Sequence, residues 1–313
     1  MRLVITGARG QVGTQLVDLA RERGHHVVGL AHGGSGGLEL TDPGSVRAAI
    51  EAASPEVIVH AAAWTDVDGC ELDEDRAMAV NAEGTGHVVA AARAAGARVV
   101  LVSTDYVFGG HAPDHDETAT VDPRSAYGRS KVAGEQALGG EDAIVRTSWV
   151  CGRHGPNAVR TVLRLAQRGA PLRFVDDQIG RPTFVDDLAP ALLHVAEAGL
   201  SGTIHASNAT TLSWHGFARA IVEAAGLDPD VVEPIATGDL DPPRPATRPA
   251  RSVLVGTALD RSGHGSLPDG RVARPARRRD PPRAPRALTP PPHPTTPPTP
   301  THPNHPKFRR SWS

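Results

Sequence analysis

The sequence is short of several things, and each shortage excludes a class of protein. Only two cysteines, Cys70 and Cys151, occur in 313 residues. Two thiols cannot make a disulfide framework or a metal quartet, so the chain reads as a reduced cytoplasmic protein. No apolar run reaches membrane-spanning length. The N-terminus, "MRLVITGARG", turns into glycine after four apolar residues, too soon for a secretory signal. Positive charge is scarce in the body. Residues 270–313 hold 10 Lys+Arg and 1 Asp+Glu, so the chain totals of 33 and 35 leave 23 against 34 in residues 1–269. A body with a balance of −11 does not invite nucleic acid.

What is present is a repeated alternation. Short β-branched runs stand at 3–6, 26–31, 56–63, 98–104 and 143–150. They show little polar alternation, as expected of strands buried on both faces. Helical spacing fills 11–24, 42–53, 76–96 and 125–140, and several of these segments end in glycine. Repeated strand–helix units predict an α/β fold, a Rossmann-type doubly wound parallel sheet. Residues 1–150 are expected to form the dinucleotide-binding domain. Helices at 157–169, 186–199 and 213–227 and a strand at 202–208 predict a smaller C-terminal substrate lobe over 151–269, partly returning to the sheet. Residues 270–313 lack glutamate and hold 13 of the 28 prolines. That composition predicts a disordered Pro/Arg-rich tail, because little in it can be buried to offset backbone entropy.

The first strand runs into "TGARGQVG" at 6–13. The Gly7, Gly10 and Gly13 spacing is weak alone, since plain strand-to-helix turns often carry glycine. Between a strand and a helix it suits a pyrophosphate: a tight turn, a bare backbone and free helix N–H groups. The candidate cofactor-binding residues here are Gly7, Arg9, Gly10, Gln11, Val12 and Gly13. Ala61, Ala62 and Ala63 follow the third strand and are small enough to let a cofactor pass. The second strand ends in Ala31 and His32, with no carboxylate before Glu39 to hold a ribose hydroxyl. Arg9 can face a 2′-phosphate instead, or simply point to solvent. The balance favours NADPH, with NADH possible. Asn81 is either a surface amide or a structural group near the site.

The fourth strand ends in Ser103, Thr104 and Asp105, at the sheet edge where ligands bind in open α/β folds. Some twenty residues on comes "AYGRSK", with Tyr127 and Lys131 four apart on one helix face. Such a pair is common by chance. After a glycine turn and a strand-end hydroxyl, it is what a hydride-transfer site needs. A nearby ammonium is expected to lower the phenol's pKa and ready it as a proton donor. The candidate catalytic residues are Thr104, Tyr127 and Lys131.

The order of "GARGQVG", "HAAAWTDVDGCE", "STDYVFGG", "YGRSKVAGE", "VRTSWVCG" and "DDQIGRPTFVDDLA" resembles the extended short-chain dehydrogenase/reductases. More narrowly it is similar to the dTDP-4-dehydrorhamnose reductases, over residues 1 to about 269. The resemblance implies NAD(P)H-dependent reduction of the C4 ketone of dTDP-4-dehydro-L-rhamnose, the last step of dTDP-rhamnose synthesis. It implies Tyr127 as acid, Lys131 on the nicotinamide ribose, and Thr104, Asp105 and Trp149 against the sugar nucleotide. Gln15 replaces an acidic residue that some members use for a magnesium-linked dimer, so no metal is expected. Cys151 replaces a tyrosine, which is expected to loosen one pocket wall. The expected partner is a dTDP-sugar, with no nucleic acid or membrane, and the oligomeric state stays open. Two alternatives remain: a 4-ketoreductase for another nucleotide deoxysugar, or a non-catalytic cofactor-binding regulatory subunit. After Asp269 the family pattern stops, which fits a shifted reading frame or a genuine basic tail.

Overall fold

Strands buried on both faces need helices on both faces, and the chain supplies them in alternation. The computed structural model describes residues 1–33, 37–169 and 172–270. Residues Met1–Ala273 form one compact unit. The expectations placed on 271–313 lie outside the described residues. In chain order the first half contains β1 (Arg2–Thr6), α1 (Gln11–Glu22), β2 (His26–Leu30), α2 (Pro43–Ala53), β3 (Val57–His60), α3 (Val67–Leu72), α4 (Glu74–Ala77), a π-helical turn (Met78–Glu83), α5 (Gly84–Ala94), β4 (Arg98–Thr104), α6 (Ala126–Glu135) and β5 (Ala143–Thr147). Then follow β6 (Val150–Cys151), α7 (Ala158–Ala166), β7 (Leu172–Val175), β8 (Ile179–Gly180), β9 (Thr183–Phe184), α8 (Val185–Glu197), β10 (Gly202–His205), β11 (Leu212–Ser213), α9 (Trp214–Ala224), β12 (Val232–Ile235) and α10 (Ala258–Arg261).

The main sheet is six-stranded, in the order β10-β5-β4-β3-β1-β2, and every pairing in it is parallel. The order reverses beside β1, whose neighbours are β2 and β3, and a crevice at the strands' carboxyl ends follows from such a switch. Alternation along the strands serves two cores. Leu3, Ile5, Val57, Val59 and Val100 pack with α1 and α8 on one face. Val4, Ile58 and Val99 pack with α2 and α5 on the other. The second half thus enters the sheet twice, as edge strand β10 and as the covering helix α8. A third core, with Val162, Leu172, Phe217, Ile221 and Val232, joins α7, β7, α9 and β12 into a smaller lobe. No helix among the described residues is long and apolar enough to cross a membrane.

Two differences from the sequence expectation bear on the site. The helix expected over 76–96 is α4 and α5 joined through the π turn, and the segment before it forms the separate short helix α3. The strand expected over 143–150 stops at Thr147, because Trp149 takes a left-handed backbone with φ 44°. A β-branched run predicts extension but not a break that tertiary packing imposes.

Candidate active site

The glycine turn is closed to side chains. Gly7 has φ 68°, and a Cβ there would lie 2.8–2.9 Å from the backbone of Ala61 and Ala62. A Cβ on Gly13 would sit 2.2 Å from the Gly7 carbonyl oxygen. Gly10 caps α1 without a side chain over the first-turn amides, leaving N–H groups for an anion. Two cavities meet at this turn, and Gly7, Gly10, Ala61 and Ala63 wall both. The outer one, about 580 Å³, adds Arg9, Ala62, His32 and Glu39. The inner one, about 380 Å³, adds Gln11, Val12 and Gly13. Two linked hollows across a bare turn fit a dinucleotide. The Gln11 side-chain carbonyl also accepts from Gly152 N at 2.9 Å and Asn157 Nδ2 at 3.2 Å, so it joins the turn to the smaller lobe. Exposed Arg9 lies with Nη1 3.5 Å from the Gly33 carbonyl. Glu39 is the carboxylate in the outer cavity, and it is engaged by Thr41 Oγ1 at 2.8 Å and His32 Nδ1 at 3.1 Å.

The inner cavity also takes in Thr104, Asp105, Tyr127, Lys131 and Trp149. Ser125 caps α6, its Oγ accepting from Gly128 N at 3.1 Å, and Glu71 accepts from Ala126 N at 2.8 Å. Those bonds fix the first turn that carries Tyr127. The Tyr127 phenol meets the Thr104 hydroxyl. Thr104 Oγ1 accepts from Tyr106 N at 3.2 Å and donates to Asp105 Oδ1 at 3.3 Å. The expected lowering of the phenol's pKa is not found. Burial pushes Tyr127 above the ordinary tyrosine value, against a smaller lowering from Thr104. Lys131 donates instead to the Val102 carbonyl at 2.9 Å, and burial lowers its own pKa to about 8. Spacing put both residues on one helix face but did not show which group the ammonium would choose.

Asp105 is buried, and burial raises its pKa to about 6 despite hydroxyl donors. Ser252 and Ser148 donate to Oδ2 at 2.5 and 3.0 Å. Asp105 therefore ties the strand end to the segment "TRPARSVL". Ser103 also reaches the inner cavity, but its hydroxyl donates to Glu135, which pairs with Arg146 through bonds of 3.0 and 2.7 Å. Trp149 is gripped: a Cβ on Gly180 would lie 2.6 Å from its ring, and Trp214 stacks on it at 3.8 Å. Cys151, expected to loosen one pocket wall, is not itself among the residues that wall the inner cavity. It is packed in the core of the smaller lobe, its thiol donating to the Trp149 carbonyl at 3.4 Å.

Several groups take a definite place only in the structure, and buried Asn81 is the structural group near the site and not a surface amide. Asn81, in the π turn, accepts from Trp64 N at 2.8 Å and donates to Trp64 O and Ser130 Oγ, both at 3.0 Å. It pins the alanine loop to α6, and π turns often occur at such functional sites. Buried His60 sits between Thr6 and Thr85 at 2.7 and 3.2 Å, and burial first, then Lys131, lower its pKa to about 3. It is a neutral spacer beside the lysine. Tyr106 and Trp214 each wall the inner cavity and a further one of about 410 Å³. That further cavity carries Arg173, Arg244 and Arg248 beside Phe174 and Leu165. Trp214 begins α9 behind its cap Ser213, a position where the sequence signals a helix start and nothing more. Among the described residues, no group of three or more His, Cys, Asp or Glu is arranged to hold a metal.

The model of the family described as "RmlD substrate binding domain" matches residues 1–275. A Mycobacterium tuberculosis protein named dTDP-4-dehydrorhamnose reductase is 43% identical over 263 residues, covering 81% of this chain and 84% of that one. A Streptomyces niveus protein named dTDP-4-keto-6-deoxy-D-glucose reductase is 39% identical, covering 77% and 86%. The crystal structure of a Bacillus anthracis dTDP-4-dehydrorhamnose reductase in complex with NADP superposes with a TM-score of 0.79 at 35% identity, covering 86% and 95%.

Proposed function

The chain belongs to the RmlD substrate binding domain family, and from that membership we propose that it reduces the C4 ketone of dTDP-4-dehydro-L-rhamnose to dTDP-L-rhamnose with NADPH. The observation that carries this reading is the inner cavity. Thr104, Tyr127 and Lys131 share it with the bare glycine turn, and Tyr106 and Trp214 join it to a second, arginine-lined cavity. A nucleotide sugar has two parts to place. The sugar belongs in the inner cavity, and the diphosphate and base belong in the cavity with Arg173, Arg244, Arg248 and Phe174.

NADPH, when bound, supplies the hydride to C4. The glycine turn and the first amides of α1 hold its pyrophosphate. Arg9 offers a cation towards the 2′-phosphate, in keeping with the NADP bound by the B. anthracis relative. Tyr127 donates its phenolic proton to the ketone oxygen as charge develops there, and Thr104 holds that oxygen from the other side. Lys131 releases Val102 to hold the nicotinamide ribose, and its ammonium then favours the phenolate that the proton transfer leaves behind. Asp105 and Trp149 line the sugar's side of the cavity.

The S. niveus relative's name keeps one second reading alive, a different 4-keto-6-deoxysugar. A non-catalytic regulatory subunit has no need to keep Thr104, Tyr127 and Lys131 in one cavity. The test is NADPH consumption by the purified protein with dTDP-4-dehydro-L-rhamnose generated in situ, beside dTDP-4-keto-6-deoxy-D-glucose. Faster turnover of the rhamnose precursor supports the reading. Preference for the glucose derivative selects the second one, and no turnover of either by folded protein removes both.

A further inference from the structure

The arginine-lined cavity is organised from outside itself, by a carboxylate on the short helix α3. Asp68 lies in the first turn of α3, next to Val67, which walls the inner cavity. Its two oxygens accept from Arg248 Nη1 and Nη2 at 2.6 and 2.8 Å. They also accept from Arg244 Nη1 and Ala246 N, both at 3.2 Å. Four donors from one short segment converge on one side chain. Arg248's hydrogen bonds hold the Asp68 carboxyl down at about 2, so it stays an anion at any working pH.

The two arginines do not merely pin one loop to another. Both wall the second cavity. Arg248 gives three of its five N–H donors to Asp68 and Ala246 through its Nη atoms and one more to Tyr106, which leaves one for an anion, while Arg244 gives one to Asp68 and keeps the rest. Arg248 also reaches the hydroxyl of Tyr106, whose ring meets Tyr127 edge-on at 5.7 Å. At its other end α3 holds the start of α6, through Glu71 and Ala126 N.

We propose that Asp68 is a positioning residue for the nucleotide end of the substrate. It holds the Arg248 and Arg244 guanidiniums at the second cavity with donors directed to a nucleoside diphosphate. The inference rests on the proposed sugar-nucleotide reading. A guanidinium fixed in advance binds phosphate without first losing its rotamer freedom.

The sign of the effect separates this role from plain electrostatics. Removing an anion beside two cations should tighten a phosphate ligand if charge alone mattered. If Asp68 positions them, binding weakens. The probe is dTDP, titrated calorimetrically into the full-length protein and its near-isosteric Asp68→Asn variant. The expected result is dTDP affinity weakened about tenfold, with the sugar-nucleotide KM raised in parallel and kcat within about threefold. NADPH affinity stays unchanged, which also certifies the fold. In an Arg248→Lys background, Asp68→Asn should cost less than about threefold, because the two act as one unit. Unchanged or tighter dTDP binding overturns the proposal. So does a joint loss of dTDP affinity, NADPH affinity and kcat, which marks a structural pin, or a full tenfold loss in the lysine background. Wild-type protein that binds dTDP but turns over no dTDP-sugar defeats the functional reading and leaves the titration to judge Asp68.

Discussion

Asp105 is a carboxyl almost out of reach of water, placed where three hydroxyls can donate to it. Those donors favour its charged form, yet burial wins and raises its pKa to about 6 from 3.8. A raised acid binds its proton more tightly in the folded chain than in the unfolded one. Its contribution to stability is therefore full below about pH 4 and is lost as pH rises through about 6. The loss is at most on the order of 3 kcal/mol for a shift of this size. Asp105→Asn cannot ionise, so its melting temperature relative to wild type should rise between pH 4 and pH 6 and level off above. Parallel melting curves across that range would show that Asp105 titrates elsewhere. The site was readable at this scale in kind but not in state. The positions of Tyr127 and Lys131 follow from helix geometry. That burial lifts the phenol and that the ammonium turns to Val102 depend on neighbours supplied by β4, which helix spacing does not encode.

Among elements, the β1–α1 turn is tightly constrained. A methyl on Gly13 meets the Gly7 carbonyl at 2.2 Å, and neither backbone can yield without moving a strand end. Gly13→Ala should destabilise the protein by about 1–3 kcal/mol and lower NADPH affinity, read by thermal melting and cofactor fluorescence. Wild-type behaviour in both would mean the turn relaxes freely. This turn was legible because a strand-to-helix connection has little use for three glycines unless a ligand comes close to its backbone. The elements of the substrate side were not. α3, the π turn and the break at Trp149 carry little periodicity of their own. Their positions come from Asn81 reaching Trp64 and from the Trp149–Trp214 stack, contacts between residues far apart in sequence.

At the scale of the molecule, every candidate site residue falls within Met1–Ala273. Removing residues 274–313 should leave turnover within about twofold and the melting temperature nearly unchanged, since a sequence this rich in proline and arginine and poor in apolar residues has little to add to a packed core. A large loss of either would give the basic segment a role in the working enzyme. The alternation of strands and helices made the main sheet legible along its length, because each strand is buried on both faces. The smaller lobe was legible only as helices. Its second cavity is assembled from α7, β7, α9 and the 240–248 segment, and Arg173, Arg244 and Arg248 have no common spacing that would announce it.

The proposed chemistry depends most on Tyr127 as the proton donor. The direct measurement is the steady-state turnover of Tyr127→Phe with NADPH and the wild type's preferred dTDP-4-keto sugar, alongside its NADPH dissociation constant. The expected result is a fall in kcat of about 10²–10⁴-fold with NADPH binding unchanged. Turnover near the wild-type rate would contradict that role and move the acid to another group in the inner cavity.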